Sequence, residues 1–368
     1  MKHHKSINKW TAVALLPALA VVAMGGPVRP AEATFGGDNG RIAFRRFFNA
    51  DKTSGAVFTI KPNGTGERQV TFPPDGFVDR NPDVSPDGRR IAFEREQNVC
   101  TVICTDEIWV VDVDGSNLTQ LTFNPPDQDC ASGGTCNGSP AWSPDGKRIA
   151  FTHVSGPLMD DLFEEVGIYV MNADGSHLRQ ITQKVHPALG EDSNPQWSPD
   201  GRKLVFVRIN VRSAQPADGE ALWIVDLRNG REDQLTPFEL RGGDTPDWSP
   251  DGKRILFHSN NGGPENVSAN LYTIRADGRD LRQLTFAVGG EKQYLGSSYS
   301  PDGKMIVFGR RPETGGTNAD IFVMNVDGTN EHPVTQTVLY DSYPDWGPTP
   351  RTDDGDDHGD DHGADQGD

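Results

Sequence analysis

Acidic and amide side chains recur at one position in this chain, three residues before a proline or the residue that replaces it. One copy departs from the spacing, with Asp244 two residues before Pro246, and another has Tyr294 in the acidic position and Ser297 in place of proline. Two further amides directly precede their prolines. The set is Asp79, Asn81, Asn137, Asp192, Asn194, Asp244, Tyr294 and Asp341.

Carboxylates that converge from separate stretches of chain could hold Ca²⁺ or another divalent cation, or receive a basic peptide. We therefore expect an acidic ring here, with Asp79, Asp192 and Asp341 as the cation ligands if a metal binds. The alternative is structural, since each aspartate could accept hydrogen bonds from backbone N–H groups where its strand begins.

Motifs for catalysis are missing from the sequence. It contains neither Gly-x-Ser-x-Gly, which marks the nucleophile of many hydrolases, nor His-Glu-x-x-His, which marks zinc peptidases. The internal histidines are scattered. No catalytic residue and no cofactor are predicted, apart from the divalent cation considered above.

The elements that position these residues are repeats. Ser-Pro-Asp-Gly occurs at 85–88, 143–146, 198–201, 249–252 and 300–303, each time followed by a basic residue and a short apolar run. Proline presets φ and glycine permits a positive φ, so each copy predicts a tight turn between antiparallel strands. A period near 50 residues indicates an array of one supersecondary unit.

A second pattern follows each turn: an apolar strand, a turn, and a short strand ending in threonine. It occurs six times, against five complete Ser-Pro-Asp-Gly turns. Residues 39–44 resemble the second strand of a further unit, and residues 342–348 resemble its first strand. The sequence therefore predicts an all-β, six-bladed β-propeller of four-stranded antiparallel blades, whose ring closes by pairing of the N- and C-terminal strands in one shared blade. An open β-solenoid is the weaker alternative, because an open array has no use for a divided unit.

The phrase Pro-x-Trp-Ser-Pro-Asp-Gly-Lys-x-Ile-x-Phe, as at 140–151, resembles the WD-like repeat of TolB propellers. The resemblance covers about residues 35–348 and implies a six-bladed propeller divided at its closure. TolB carries an α/β domain before its propeller, and here the propeller is expected to follow residues 1–33 directly. The family's role in a cell-envelope complex does not transfer without that domain.

The chain ends differ from the repeats. Residues 1–33 combine early lysines, an apolar stretch and Ala31-Glu32-Ala33, which predicts a Sec-type secretory signal peptide. An uncleaved membrane anchor is the alternative, and no later span is expected. Residues 34–349 are assigned to the propeller. Residues 350–368 are rich in Asp, Gly and His and predict a disordered acidic tail. We expect a secreted, periplasmic or cell-envelope protein.

The cysteines lie close together in the sequence, at Cys100, Cys104, Cys130 and Cys136. An even number in an exported chain predicts two disulfides. Four free thiols or a zinc site are the alternatives, although the spacings do not match common zinc motifs.

The formal net charge of −18 disfavours binding to nucleic acids and to anionic lipids. Short turns should occupy one face of the propeller and long connections the other, which favours the second face for binding. We therefore predict a monomeric, non-catalytic propeller that binds a protein or peptide, with basic character, through its long connections and channel mouth. The alternative is a metal-dependent hydrolase or lactonase with an acidic cation site in the channel.

Overall fold

The computed structural model describes residues 37–97, 106–123, 135–159, 162–182, 191–210, 219–259, 269–287, 293–311 and 318–350. The predicted signal peptide and acidic tail lie outside these ranges. Within them the chain forms 24 strands and one short 3-10 helix, Phe238–Leu240. No helix in the described ranges is long and apolar enough to cross a membrane.

The strands are numbered in chain order. The first eight are β1 (Asn39–Phe47), β2 (Gly55–Ile60), β3 (Arg68–Gln69), β4 (Phe77–Val84), β5 (Arg90–Gln97), β6 (Asp106–Asp112), β7 (Thr119–Gln120) and β8 (Thr135–Trp142). Next come β9 (Arg148–Met159), β10 (Leu162–Asn172), β11 (Arg179–Gln180), β12 (Glu191–Trp197), β13 (Lys203–Asn210), β14 (Gly219–Asp226), β15 (Arg231–Gln234) and β16 (Gly242–Trp248). The last are β17 (Arg254–Ser259), β18 (Asn270–Arg275), β19 (Arg282–Gln283), β20 (Gln293–Tyr299), β21 (Met305–Arg311), β22 (Asp320–Asn325), β23 (His332–Pro333) and β24 (Tyr340–Pro348).

Hydrogen bonding divides these strands into five sheets, which corrects the expectation of six separate ones. Strands β8–β11, β12–β15, β16–β19 and β20–β23 each form a four-stranded antiparallel sheet, and the other eight strands share one sheet. That sheet is joined in its middle by a single parallel pair, Gly55 with Val78. The contact requires glycine, because a Cβ at position 55 would lie 2.6 Å from the Arg46 carbonyl oxygen and 3.1 Å from Val78.

The first and last strands of the described chain pair with each other. Strand β1 runs antiparallel to β24, with Ile42 opposite Trp346 and Phe47 opposite Tyr340. On its other side β1 pairs with β2. The C-terminal strand therefore supplies the inner edge of a sheet whose remaining strands come from the N-terminal end.

The Ser-Pro-Asp-Gly copies form the tight turns that their sequence predicts. In the first, the Gly88 N–H donates to the Ser85 carbonyl oxygen (2.8 Å). The Ser85 hydroxyl donates to Asp87 and accepts from the Arg90 N–H (2.9 Å). All five glycines have φ between 66° and 71°. Repetition of this network gives every copy the same geometry, and the copies define what we call the turn face. We call the opposite side, where the strand ends that flank the undescribed segments lie, the loop face.

The turn glycines permit a direct test. Gly252 has φ 68°, and its nearest neighbour to an added Cβ is Pro199 at 3.8 Å, so a larger residue has room but the wrong backbone conformation. Gly252→Val should lower the free energy of unfolding by about 1–3 kcal/mol in chemical denaturation. The neighbouring Lys253→Gln is the control, because that side chain is 78% exposed and a surface ion pair contributes at most about 1 kcal/mol. Equal losses in the two variants would contradict this turn geometry.

The core lies between neighbouring sheets. Trp142, at the end of β8, is fully buried against Ala92, Ile108 and Leu121 of the preceding group of strands. Trp197 is held in the same way by Ile168 and Val170. The aromatic residue before each of these turns thus fastens the innermost strand of one sheet to the sheet before it.

The innermost strands surround a central axis. Strands β4, β8, β12, β16, β20 and β24 contact one another in that order, and β24 contacts β4. All six line one central cavity. The architecture is therefore that of an all-β propeller.

Candidate functional site: the axial cavity

One residue in each innermost strand adopts a left-handed backbone conformation. At five of the six positions it is not glycine, and at five the next residue is proline. The residues are Asn81, Ser139, Asn194, Thr245, Gly296 and Tyr343, with φ between 42° and 57°. A β-bulge at the same level interrupts the pairing with the neighbouring strand in each sheet. Non-glycine residues with positive φ are uncommon and are concentrated at functional sites.

These bulges border a cavity of about 70 Å³ on the propeller axis. It has room for about five water molecules, or for the tip of one side chain. Asn81, Ser139, Asn194, Thr245 and Tyr343 are half-exposed at its loop-face side. Two hydroxyl oxygens at its wall, Ser297 Oγ and Thr245 Oγ1, are buried without a hydrogen-bond partner among the described residues.

Three carboxyl groups line the cavity two residues further along their strands: Asp83, Asp247 and Asp345. They also line a smaller cavity towards the turn face, so they stand at the boundary between the two. The other three strands place Ala141, Gln196 and Ser298 at this level. Carboxyl groups therefore occupy three of the six equivalent positions around the axis.

Each carboxyl group binds the backbone of the next innermost strand. Asp83 Oδ2 accepts from the Trp142 N–H (2.7 Å) and Asp345 Oδ2 from the Val84 N–H (2.8 Å). Asp247 Oδ2 accepts from the Tyr299 N–H (2.7 Å). These bonds connect neighbouring sheets at the axis and fix the direction of the side chains.

Two further bonds narrow the axis. Gln196 Nε2 donates to Asp83 Oδ1 (3.1 Å). The Gln196 side chain can reach Asp83 past β8, because β8 has only the small Ala141 at this level. The Ser298 hydroxyl donates to Asp345 Oδ1 (3.0 Å). The Ser298 hydroxyl and the Trp248 backbone N–H also interact with the Asp247 carboxyl group. The three carboxyl groups thus keep acceptor capacity that the protein does not use.

Burial and mutual repulsion favour the protonated forms of these acids. Burial, with the charge of Asp345, raises the pKa of Asp83 well above its ordinary value. Burial raises the pKa of Asp247 to about 7, and it also raises the pKa of Asp345. No cationic side chain among the described residues pairs with any of the three. Perturbed carboxyl groups in a cavity mark a candidate functional site.

The acidic ring predicted from the sequence lies elsewhere and is neutralised. Asp79, Asp192 and Asp341 are buried and do not line the cavity. Each forms a bidentate ion pair with an arginine of the adjacent strand. The pairs are Asp79–Arg95 (2.6 and 2.8 Å), Asp192–Arg208 (2.6 and 2.7 Å) and Asp341–Arg46 (2.6 and 2.7 Å). These aspartates do not converge as free carboxylates, so the expected cation site is corrected.

The same position serves the sheet in other strands. Asn137 Oδ1 lies 2.8 Å from Nδ1 of His153, and the Tyr294 hydroxyl donates to Glu331 (3.4 Å). The backbone of Asp244 lies in β16, but its side chain is outside the described set. Each arginine or histidine also stacks on an aromatic ring of the third strand, as Arg95 does on Trp109 (4.7 Å). Acid, cation and aromatic ring form a structural array that crosses the sheet.

Two of the three amides in the predicted set, Asn81 and Asn194, line the axial cavity. Asn81 Nδ2 donates to Glu94 Oε2 (3.0 Å), which also accepts from the Ser139 N–H (3.1 Å). The Ser139 hydroxyl donates to Asn194 Oδ1 (2.7 Å). A polar network therefore links three neighbouring innermost strands at the loop-face side of the cavity.

A second acidic group lies beyond this network. One carboxylate oxygen each from Glu94, Glu96 and Asp106 lies within 4.8 Å of the others. Burial, followed by the charge of Glu94, raises the pKa of Asp106 to about 8. Arg80 already pairs with both Glu94 (2.8 Å) and Glu96. Its guanidinium supplies the positive charge that a metal would otherwise bring, so this cluster reads as an ion-pair network.

Only one of the four cysteines lies within the described residues. Cys136 lies in β8 and is disulfide-bonded. Cys100, Cys104 and Cys130 lie outside the described residues, so the pairing and the second bridge remain predictions.

Comparison with known proteins places this fold. Residues 210–352 match the family described as TolB beta propeller domain. TolB from Acinetobacter baumannii has a TM-score of 0.61 at 21% identity, covering 84% of this chain and 67% of that one. A putative TolB from Agrobacterium tumefaciens has 0.56 at 20%, covering 84% and 99%. "Uncharacterized peptidase YuxL" of Bacillus subtilis is 26% identical over 229 residues, which are 62% of this chain and 29% of YuxL.

The fold and the axial cavity together define the protein as an all-β propeller. Within that class the family match in the C-terminal part and the structural neighbours support a TolB-like propeller. The chain spans less than a third of the curated relative YuxL, whose peptidase name therefore describes a much longer protein.

Proposed function

We propose that this chain is an exported, non-catalytic propeller of six blades that binds a protein or peptide partner at its loop face and axial cavity. The observation that carries the proposal is the cavity itself, where three carboxyl groups without a cationic partner face a half-exposed polar rim. Such a site attracts a ligand that brings positive charge and hydrogen-bond donors.

The proposed number of six blades is supported by the way the largest sheet is joined and by a repeated threonine contact. The eight-stranded sheet divides at the Gly55–Val78 pair into β24-β1-β2-β3 and β4-β5-β6-β7, each antiparallel throughout. The threonine that ends the repeat accepts from the backbone of the third strand six times. The acceptors are Thr71, Thr122, Thr182, Thr236, Thr285 and Thr335.

Export is supported by the apolar N-terminal segment and by the disulfide at Cys136, since disulfides persist in oxidising compartments. A non-catalytic role is supported by the wall of the cavity, which has hydroxyl, amide and carboxyl groups but no histidine among the described residues. The described wall therefore lacks the serine–histidine pair that activates the nucleophile in many hydrolases.

Site-specific photocrosslinking tests where the partner binds. A benzophenone amino acid at Tyr343, on the cavity rim, should capture a partner from the extracellular or envelope fraction of the native cell. The same amino acid at Leu281 is the control, because that residue is 45% exposed and lies beside a turn-face hairpin. Crosslinks at Leu281 but not at Tyr343 would place the binding site on the wrong face for this proposal.

A further inference from the structure

The chemistry of the partner can be deduced from the donors and acceptors at the axis. This inference rests on the proposed function and names the group that enters the cavity. The geometry points to a primary ammonium group, the tip of a lysine side chain of the partner, bound between Asp83, Asp247 and Asp345 on the propeller axis.

The first argument is the number of acceptors. Three carboxyl groups come from three different strands to one level of the axis. An ammonium group has three N–H donors that point in different directions, whereas guanidinium is a planar fork suited to one carboxylate. A ring of separate acceptors therefore fits ammonium better.

The second argument is the wall of the cavity on the loop-face side. Ser297 is 4% exposed, and its Oγ has no partner among the described residues. Thr245 Oγ1, on the adjacent innermost strand, is also buried without a hydrogen-bond partner among the described residues. Buried hydroxyl groups without partners cost stability unless a ligand or water supplies the missing bond. A lysine tip with its accompanying water supplies such partners.

The third argument is size and charge. A cavity of about 70 Å³ takes an amine and the last methylenes of its chain. The uncharged Ala141, Gln196 and Ser298 complete the ring at the level of the carboxyl groups. Charged groups at the rim include Arg45 and Glu94, both of which contact Asn81. No described cation competes for the three acids.

Binding should release protons. Burial raises the pKa of all three acids, that of Asp247 to about 7. An ammonium group binds strongly only to their ionised forms, so binding favours the loss of protons. Affinity should therefore tighten as pH rises, by up to about tenfold per pH unit for each proton released.

The probe for the test is n-butylammonium chloride, which has the amine and methylenes of lysine. At about pH 8 and a concentration well above its dissociation constant, it should raise the melting temperature of the mature protein by about 2–4 °C. At about pH 5.5 the increase should be much smaller. Tetramethylammonium chloride at equal ionic strength has no N–H donor and should give no increase.

Variants separate the site from the rest of the surface. Asp247→Asn keeps an acceptor for the Tyr299 N–H and should abolish the butylammonium effect. Asp233→Asn is the control, because that aspartate is 57% exposed and pairs with Arg231 on an outer strand. Ser297→Ala should fold normally and weaken the effect. Calorimetry in two buffers of different ionisation enthalpy should show proton release with the wild type.

Several results would overturn the inference. One is equal stabilisation by both organic cations, and another is an effect that survives in Asp247→Asn. Stabilisation by calcium chloride alone, lost in Asp247→Asn, would identify the site as one for a metal ion. If crosslinking at Tyr343 persists in Asp247→Asn, the partner binds at the rim without a lysine in the cavity, so this inference fails while the proposed function stands.

Discussion

Deletion of residues 340–348 should abolish cooperative unfolding of the propeller. The deletion removes β24, which pairs with β1 along its length. It also removes Trp346 from a core that contains Ile42 and Phe44, and it leaves Arg46 without Asp341. Arg46 keeps its ion pair with Glu67 (2.6 Å), so the loss of Asp341 costs less than the roughly 3–5 kcal/mol of a buried charge left with no partner. The unpaired edge of β1 also becomes a template for aggregation. Together these losses approach the whole stability of a typical domain, about 5–15 kcal/mol.

The measurement is chemical denaturation followed by tryptophan fluorescence, with light scattering to detect aggregates. Deletion of residues 351–368 is the matched control, because it also shortens the C-terminus but leaves β24 intact. That variant should unfold with the midpoint of the wild type. If the two truncated proteins unfold alike, the pairing of the chain ends does not close the ring in the way argued here.

The repeated residues of this sequence predicted most of the architecture. The turns depend on local chemistry, a serine hydroxyl, an aspartate and a glycine with positive φ, so short motifs were sufficient to locate them. The pairing of β2 with β4 was not predictable from the repeats. It depends on a close backbone approach at Gly55 between strands that occupy different positions in successive repeats.

The candidate site was harder to locate, because the residues that form it are the ones that vary between repeats. In the phrase Pro-x-Trp, the position x is aspartate in Asp247 and Asp345, and Asp83 takes the same place before Val84. The acids that recur three residues before proline were predicted to form the site instead. In two of the three cases the arginine partner follows 16 residues later, as Arg95 follows Asp79 and Arg208 follows Asp192. That spacing is the signal which could have identified these two aspartates as members of ion pairs. The bulges could not be predicted from sequence motifs. Their Asn, Ser, Thr or Tyr residues adopt a left-handed backbone conformation before proline, and no sequence signature marks that conformation.

The acids at the axis should make the protein less stable as pH rises towards neutrality. The pKa of Asp247 is about 7 in the folded protein, against an ordinary value of 3.8. Between these values the folded state holds a proton that the unfolded state has released, so the free energy of unfolding falls with increasing pH. The difference corresponds to about 4 kcal/mol, present below about pH 4 and lost by about pH 7. Asp83 and Asp345, whose pKa values are also raised, should contribute in the same direction.

Asp247→Asn isolates this effect. Asparagine stays neutral and still offers an oxygen to the Tyr299 N–H, so the variant should match the wild type near pH 4 and exceed its stability by up to about 4 kcal/mol above pH 7. Surface acids act in the opposite sense. The Arg282 guanidinium lowers the pKa of Asp280 to about 2, which contributes stability that is lost as pH falls. Because such groups are common to both proteins, the informative quantity is the difference between variant and wild type in urea denaturation at each pH.

A constant difference across the pH range would show that Asp247 does not titrate in the folded protein as argued. A variant less stable than the wild type at high pH would show that the carboxylate is already compensated by a cation. The expected outcome is a variant that is more stable and binds less. A buried acid that weakens the fold at neutral pH is explained when its charge serves a ligand, since binding sites commonly sacrifice stability for function. The loss of stability that Asp247 causes as pH rises and the stabilisation by butylammonium should therefore both be absent in Asp247→Asn, and both should remain in Asp233→Asn.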